Sequence, residues 1–369
     1  MHLLALFAAA ALQFSPQTIA TDLKGGYQVI AVDMNKDGRP DLLALASGVS
    51  ELVWYENPSW QRHVIVGDMK RMINVWPMDV DKDGIPELLL AHAFENEAAR
   101  SVGLVSYLHF DGKTWTIREI DRLTTSHRLR SANGLFINSP LTGASAMAPE
   151  YRDHTPLVAY APGDFQRRQI SVDDEGVVHG IFVNDWNRDG LEDVLTASFK
   201  GIWVNLAHRD GTWTRQQISV GDPAAWPKGG SSDVTVGHLR KERFLGAIEP
   251  WHGNQVSVYR YARKEWRREV IDDSLTDGHT IHVADFDGDG RDEILVGARQ
   301  GQRGVYLYRE VKGTWTRQII SEGEVAAAGC AVADFNRDKR PDIACIGSTT
   351  ANLVIWTQHS GAHNDPTLR

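Results

Sequence analysis

An aromatic residue followed five positions later by isoleucine recurs seven times along the chain: Phe14/Ile19, Trp60/Ile65, Trp115/Ile120, Phe165/Ile170, Trp213/Ile218, Trp266/Ile271 and Trp315/Ile320. Successive aromatics are 46, 55, 50, 48, 53 and 49 residues apart. That is the period of a four-stranded propeller blade and is too long for most helical solenoid repeats. Between these segments lie short apolar runs, such as HTIHVADF, EILVGA and GVYLYRE in one repeat. Each repeat therefore reads as strands A, B, C and D, with A innermost and the aromatic/Ile strand as D. The pattern predicts an all-β, seven-bladed β-propeller over residues 12–358. The seventh repeat ends at its C strand, Leu353 to Thr357, while the chain begins with an orphan D-type strand. Phe14 to Ala20 should thus close the ring on the last blade and cover its edge. The Trp and Ile positions are expected to be blade-packing core, not a sugar-stacking platform.

A second motif lies between strands A and B, with acidic or amide residues at positions 1, 3, 5 and 9. The copies are Asp33-Asn35-Asp37-Asp41, Asp79-Asp81-Asp83-Glu87, Asp185-Asn187-Asp189-Asp193, Asp285-Asp287-Asp289-Glu293 and Asp334-Asn336-Asp338-Asp342. Alternate oxygen ligands around a tight turn suit Ca²⁺, which collects six to eight oxygens, and closure at position 9 separates this loop from the EF-hand. Gly38, Gly84, Gly190 and Gly290 stand at position 6, where the turn calls for positive φ. Lys339 replaces that glycine in the last copy, so its loop is expected to bind most weakly. Such Ca²⁺ would be structural, and five ions would offset the formal net charge of −9.

Composition narrows the class. A repeat that runs end to end makes the 369 residues one closed domain. Net negative charge without a basic block argues against nucleic acid, and beyond the N-terminus no apolar run could span a bilayer. Leu3 to Leu12 reads as the apolar core of a signal peptide, expected over residues 1–11, which implies an extracytoplasmic protein, periplasmic or secreted. Residues 359–369 are expected to be a disordered tail, and the protein to be a monomer. Cys330 and Cys345 could face one another across a hairpin, but two buried free thiols are the expectation.

The five acidic loops resemble those of the FG-GAP or VCBS-type calcium-loop propellers over nearly the whole chain. The segments EPWHGNQVSVY (249–259) and DGHTIHVADFDGDGRDEILVG (277–297) are similar to the propeller part of the aldos-2-ulose dehydratase family. That second resemblance implies dehydration of oxidised sugars, hence a carbohydrate ligand or substrate. It does not carry over an isomerase activity.

The A–B turns mark one face of the disk, so the starts of the A strands lie on the other. Six residues before each loop stand Tyr27, Ile73, His127, His179, Ser231, His279 and Ala328, with the two degenerate loops aligned on Asn133 and Gly237. Three of the seven are histidine. Equivalent positions on innermost strands converge on the axis, so His127, His179 and His279 should form an arc at one mouth of the channel. Loops between B and C add His92, Glu95, Tyr151, Asp153, His154, Glu249, Trp251, His252 and Asn254, while Arg71, Arg128 and Asp233 begin neighbouring A strands. Three imidazoles with an open position suit Zn²⁺ or another divalent metal, and alternatively His can act directly as acid and base. Either serves β-elimination, with His127, His179, His279, His252, Glu249, Tyr151 and Arg128 as the catalytic set. The alternative is a non-catalytic scaffold that binds carbohydrate or protein. No G-x-S-x-G, phosphate loop or CxxC pair is present.

Overall fold

The computed structural model describes residues 11–359. Seven antiparallel four-stranded sheets surround one axis, six of them built from consecutive strands. In the seventh, Ala327–Ala333, Asp342–Gly347 and Leu353–His359 are completed at the outer edge by Gln13–Ala20. Phe14 pairs with Gln358 and Pro16 with Trp356 in that closing ladder. The Phe14 ring meets Phe286 of the preceding blade edge-on at 6.2 Å. The expected signal peptide lies outside the described residues except for Ala11. His359, expected in the tail, is the last residue of a strand and pairs with Gln13. Residues 360–369 lie outside the described set.

The core sits chiefly on the B strands. Asp41–Ala46, Glu87–His92, Asp193–Ser198, Glu293–Ala298 and Asp342–Gly347 are buried at every position. Neighbouring blades cover both faces of such a strand, which is why these runs are continuously buried and, after the first residue, mostly apolar instead of alternating. The aromatic/Ile residues are more peripheral than expected. Phe165, Ile65 and Trp315 are buried, but the other members of the set are half-buried and pack along the margins of the blade clusters. A D strand has solvent on its outer edge, so only one face of it can contribute. Cys330 and Cys345 are cross-strand partners and are joined in a disulfide, contrary to the expectation of free thiols.

Each acidic turn is organised by its own carboxylates. The position 1 side chain accepts the N–H groups of positions 5 and 6, as Asp285 does from Asp289 and Gly290 at 3.0 and 2.9 Å. Position 6 has φ of 77° at Gly38 and 68° at Lys339, so the lysine holds the left-handed conformation that glycine provides elsewhere. Position 9 is the first residue of strand B and almost fully buried. Asp41, Asp193 and Asp342 each accept one N–H from position 2 and another from the end of strand C, at 2.8–3.0 Å. These carboxylates tie three strands together.

Phe14→Ala should cost about 2 kcal/mol, somewhat less than a fully buried phenylalanine. Denaturant unfolding checks this. A loss no larger than that of an exposed residue would mean that the closing strand does not hold the ring.

Candidate functional site

A β-bulge places the ring residues. The A/B register slips by one at Tyr27, His127, His179, His279 and Ala328, leaving each as the extra residue of its strand. Bulges re-aim side chains, and here they turn the first side chain of strand A toward the axis. Ile73 follows the same offset, its N–H donating to Ala91 O. In the fifth blade the equivalent residue is Ser232 and not Ser231, because Asp233 pairs with Ile248 while Ser232 N–H donates to the same Ile248 carbonyl. With no acidic turn to mark the loop start, the Gly237 anchor set the sequence alignment one residue early.

The expected convergence is present. Ring centroids of His127 and His179 lie 5.2 Å apart, and those of His179 and His279 4.9 Å apart. His252, from the B–C loop of blade five, completes the group at 4.8 Å from His179 and 5.2 Å from His279. Tyr27 hydroxyl is 2.7 Å from His127 Nε2. Arg128 Nε donates to His179 O at 2.7 Å, its Nη2 lies 3.3 Å from His179 Nε2, and its Nη1 lies 3.4 Å from the Tyr27 hydroxyl.

The metal-ligand geometry departs from the expected trio. His179, His252 and His279 bring one ring nitrogen each within 4.8 Å of the others, so His252 takes the place expected for His127. His279 Nδ1 lies 2.5 Å from Ala328 O and must donate to it, which leaves the lone pair on Nε2. That Nε2 is buried with no hydrogen-bond partner, as is His127 Nδ1. A nitrogen of this kind, fixed by a backbone carbonyl on its far side, fits a metal ligand.

Glu249 does not join the histidines. It is fully buried in blade five, where it accepts from Ser231 at 2.7 Å, from Arg268 at 2.6 Å and from the Tyr259 hydroxyl. Its position near the end of strand B is right, but the side chain turns into the blade. Tyr151 stands one layer back, edge-on to Trp251 at 5.7 Å. His92 bonds Ser106 inside blade two, and Asp153 caps Ser145 N–H in its own loop. The sequence reading assigned no role to Asp277 and Arg299. Arg299 Nη2 lies 2.8 Å from Asp277 Oδ1 and 3.1 Å from His252 Nδ1, which is 3.6 Å from Asp277 Oδ1. Tyr27 carried the clearest missed signal, since it occupies the same repeat position as the histidines.

A cavity of about 260 Å³ opens above the ring, lined by Arg71, Phe94, His127, His179, Trp251 and His252. A second, of about 280 Å³, lies on the channel side with Trp76, Arg128, Arg130, Asp233 and His279 in its wall. Tyr27 lines both, so the ring separates them. Burial pushes His127, His179 and His279 well below the ordinary imidazole range, and the Arg128 or Arg299 charge adds to it. His252 is lowered by the same two causes, with Asp277 opposing. The group is therefore four neutral imidazoles beside two fixed cations.

Residues 102–262 match the aldos-2-ulose dehydratase β-propeller domain, and residues 33–90 and 285–345 match the FG-GAP-like repeat. Both resemblances read from the sequence hold. Aldos-2-ulose dehydratase of Phanerodontia chrysosporium is 29% identical over 229 residues, 53% of this chain and 25% of that protein. The chain thus spans about a quarter of that relative. Among solved structures, a chain of the Mitotic Checkpoint Complex aligns with a TM-score of 0.63 at 10% identity, covering 96% of this chain and 99% of the other. The extracellular domain of the putative one-component system BT4673 from B. thetaiotaomicron aligns at 0.60 with 9% identity, covering 95% of this chain and 40% of the other. At these identities the likeness concerns the fold alone. No helix among the described residues is long and apolar enough to cross a membrane.

A histidine kept neutral in the fold but protonated in the unfolded chain contributes stability above the unfolded pKa near 6.5. That contribution is lost as pH falls toward the depressed folded value, at about 1.4 kcal/mol per pH unit. His127→Gln should flatten the fall of unfolding free energy between pH 6.5 and 4.5 by about that slope. An unchanged slope in paired denaturation series would show that His127 titrates normally in the fold.

Proposed function

We propose that the chain is an exported, carbohydrate-active propeller whose histidine face eliminates water from an oxidised (keto) sugar. The carrying observation is the group of four neutral imidazoles and two guanidiniums gathered at the boundary of two cavities. The match to the aldos-2-ulose dehydratase propeller supports the same chemistry, by way of a relative that is distant and much longer.

In β-elimination a proton leaves the carbon next to a carbonyl, a carbon–carbon double bond forms, and the β-oxygen departs as water once protonated. His127 is the base: it faces the cavity, and its Nδ1 has no partner. With the lone pair on Nδ1, Nε2 carries the proton and donates to the Tyr27 oxygen, which leaves the phenolic proton free for the departing hydroxide. When His127 has taken the substrate proton at Nδ1, it passes its Nε2 proton to the tyrosinate, which restores the phenol and leaves His127 neutral as the Nδ1–H tautomer; exchange of that proton with water resets the starting tautomer before the next turnover. Arg128 reaches the ring from the channel side, 3.4 Å from the Tyr27 hydroxyl, and would stabilise a developing enolate oxygen through its charge; charge-assisted donors in a dry site are worth several kcal/mol. The same charge keeps the imidazoles neutral. His179, His252 and His279 would hold Zn²⁺ or another divalent metal, which supplies carbonyl polarisation when bound.

The acidic loops are assigned to structural Ca²⁺. Carboxylate oxygens of Asp79, Asp81 and Asp83 lie within 4.8 Å of one another, as do those of Asp285, Asp287 and Asp289. Burial raises Asp41 to about 6 and Glu293 to about 8, and the charges of their loop neighbours add to the rise. Crowded carboxylates of this kind are relieved by a cation.

Turnover is read as ultraviolet absorbance of the conjugated enone formed from a keto sugar. His127→Ala should lower kcat at least ~100-fold with bound metal unchanged, whereas His179→Ala should lose metal and activity together. Absence of enone from any keto sugar, with saccharide binding intact, would overturn the enzyme reading in favour of the scaffold.

Excess chelator should lower the melting temperature by linkage, and Asp285→Ala should cost about 2 kcal/mol without altering kcat. A melting curve indifferent to chelator rules out structural calcium.

A further inference from the structure

The fifth repeat departs from the acidic pattern in a particular way. Where five blades carry Asp-x-Asp/Asn-x-Asp between strands A and B, this one, like blade three with its Asn133-Gly134 turn, has a tight turn, and here Leu239 pairs with Glu242 within the basic run HLRKER. The turn is fastened to the acidic loop of blade six, with His238 N–H donating to Asp292 and Arg240 N–H to Gly290 O at 2.8 Å. On its other side, toward blade four, the shortened turn borders a cleft of about 470 Å³. This cleft lies on the face of the A–B turns, opposite the histidines.

Three arginines line it: Arg188 from the acidic loop of blade four, and Arg243 and Arg260 from blade five. Among the described residues none of the three has a carboxylate within 4.0 Å, although most arginines of this acidic chain are paired. Arg243 is held in place, stacked at 3.9 Å over Trp186 and donating to Trp186 O at 2.7 Å. Arg260 is the informative one. Its Nε and Nη2 are buried and have no hydrogen-bond partner. An unsatisfied buried guanidinium is costly unless something external meets it. Beside it, half-buried Trp266 and 60% exposed Tyr261 face each other at 5.4 Å and form an aromatic wall open to solvent. The volume matches that of small-ligand sites.

We propose that this cleft binds a carboxylated saccharide, its carboxylate on Arg260 with Arg188 and Arg243 alongside, and a sugar face against Trp266 and Tyr261. The planar fork of arginine suits a carboxylate bidentately. The half-open aromatic wall suits the flat C–H face of a sugar ring better than a buried pocket would. The choice of sugar as carrier rests on the carbohydrate reading above, but the site is separate from the histidines and is tested separately.

The test is titration of the full chain with trigalacturonate, followed by tryptophan fluorescence, since Trp186 and Trp266 line the cleft. Maltotriose, triglutamate and sodium sulfate are the parallel arms. The expected result is saturable binding of trigalacturonate alone, weakened at least tenfold by Arg260→Gln and by Tyr261→Ala. The melting temperature of Arg260→Gln should be unchanged or raised, because two buried N–H groups without partners are removed, and enone formation at the histidine face should be unaffected. Equal binding of maltotriose, of triglutamate or of sulfate overturns the proposal, as does trigalacturonate binding that survives both substitutions. A fall in enone formation without loss of trigalacturonate binding would count against the separation of the two sites. Loss of trigalacturonate binding in a variant with full turnover leaves the elimination reading standing by itself.

Discussion

Ring closure is the constraint on which the rest depends. The four imidazoles come from blades three, four, five and six, and their centroid separations near 5 Å exist only while seven blades share one axis. No covalent bond joins the ends of that ring. Its closure rests on the ladder between Gln13–Ala20 and Leu353–His359 and on packing such as Phe14 against Phe286. An open ring would spread the inner strands and dissolve the site while leaving the hydrogen-bonded ladders of the six blades built from consecutive strands in place, because those ladders are made within each sheet. Structure and chemistry are therefore coupled through residues more than 300 positions apart in sequence.

The A–B turns set the phase of each inner strand. The buried carboxylate at position 9 ties strands A, B and C to one another, so the residue some six positions before the loop is brought to the same height in every blade. The bulge then turns that residue inward. This is why a repeat register could locate His127, His179, His279 and Tyr27, and why it failed by one at Ser232, where the acidic turn that marks the loop start is replaced. Periodicity carries the backbone position but not the direction of a side chain. Glu249 stands near the end of its strand yet faces Tyr259 and Arg268, a choice made by partners distant in sequence. Asp277 and Arg299 were invisible for the same reason: their significance is their contact with His252, which no spacing encodes. The cysteine pair was legible as a cross-strand possibility and needed the observed register to be decided.

Charge is distributed by face. The histidine mouth holds two guanidiniums against neutral imidazoles, and burial keeps those imidazoles from competing for positive charge. The opposite face carries acidic turns on five blades, where burial raises the pKa of Asp41, Asp193, Glu293 and Asp342; the turn of blade three is Asn133-Gly134 and that of blade five is basic. One face thus concentrates fixed positive charge around neutral imidazoles, and most of the other concentrates negative charge.

The neutrality of the imidazoles is what makes the arrangement chemically coherent. An imidazolium beside Arg128 would repel it and could not accept a proton, so a site built from four histidines and two arginines works as a base only if burial suppresses protonation. The depressed pKa makes His127 a weak base toward solvent, but not toward a substrate whose departing proton leaves negative charge next to Arg128. In the proposed elimination the cation that lowers the basicity of the free site would stabilise the anion formed when the base acts, which would offset the cost in basicity at the step where it matters. Tyr27 fits the same logic, since a phenol bonded to His127 and close to Arg128 can release its proton to a leaving oxygen with a cation already beside the tyrosinate. The separation of a neutral base from a fixed cation by one hydrogen-bonded tyrosine therefore suits proton abstraction next to a carbonyl better than nucleophilic hydrolysis, for which the histidines would need an attacking hydroxyl or thiol in their midst, and the hydroxyl in contact with His127 is a phenol.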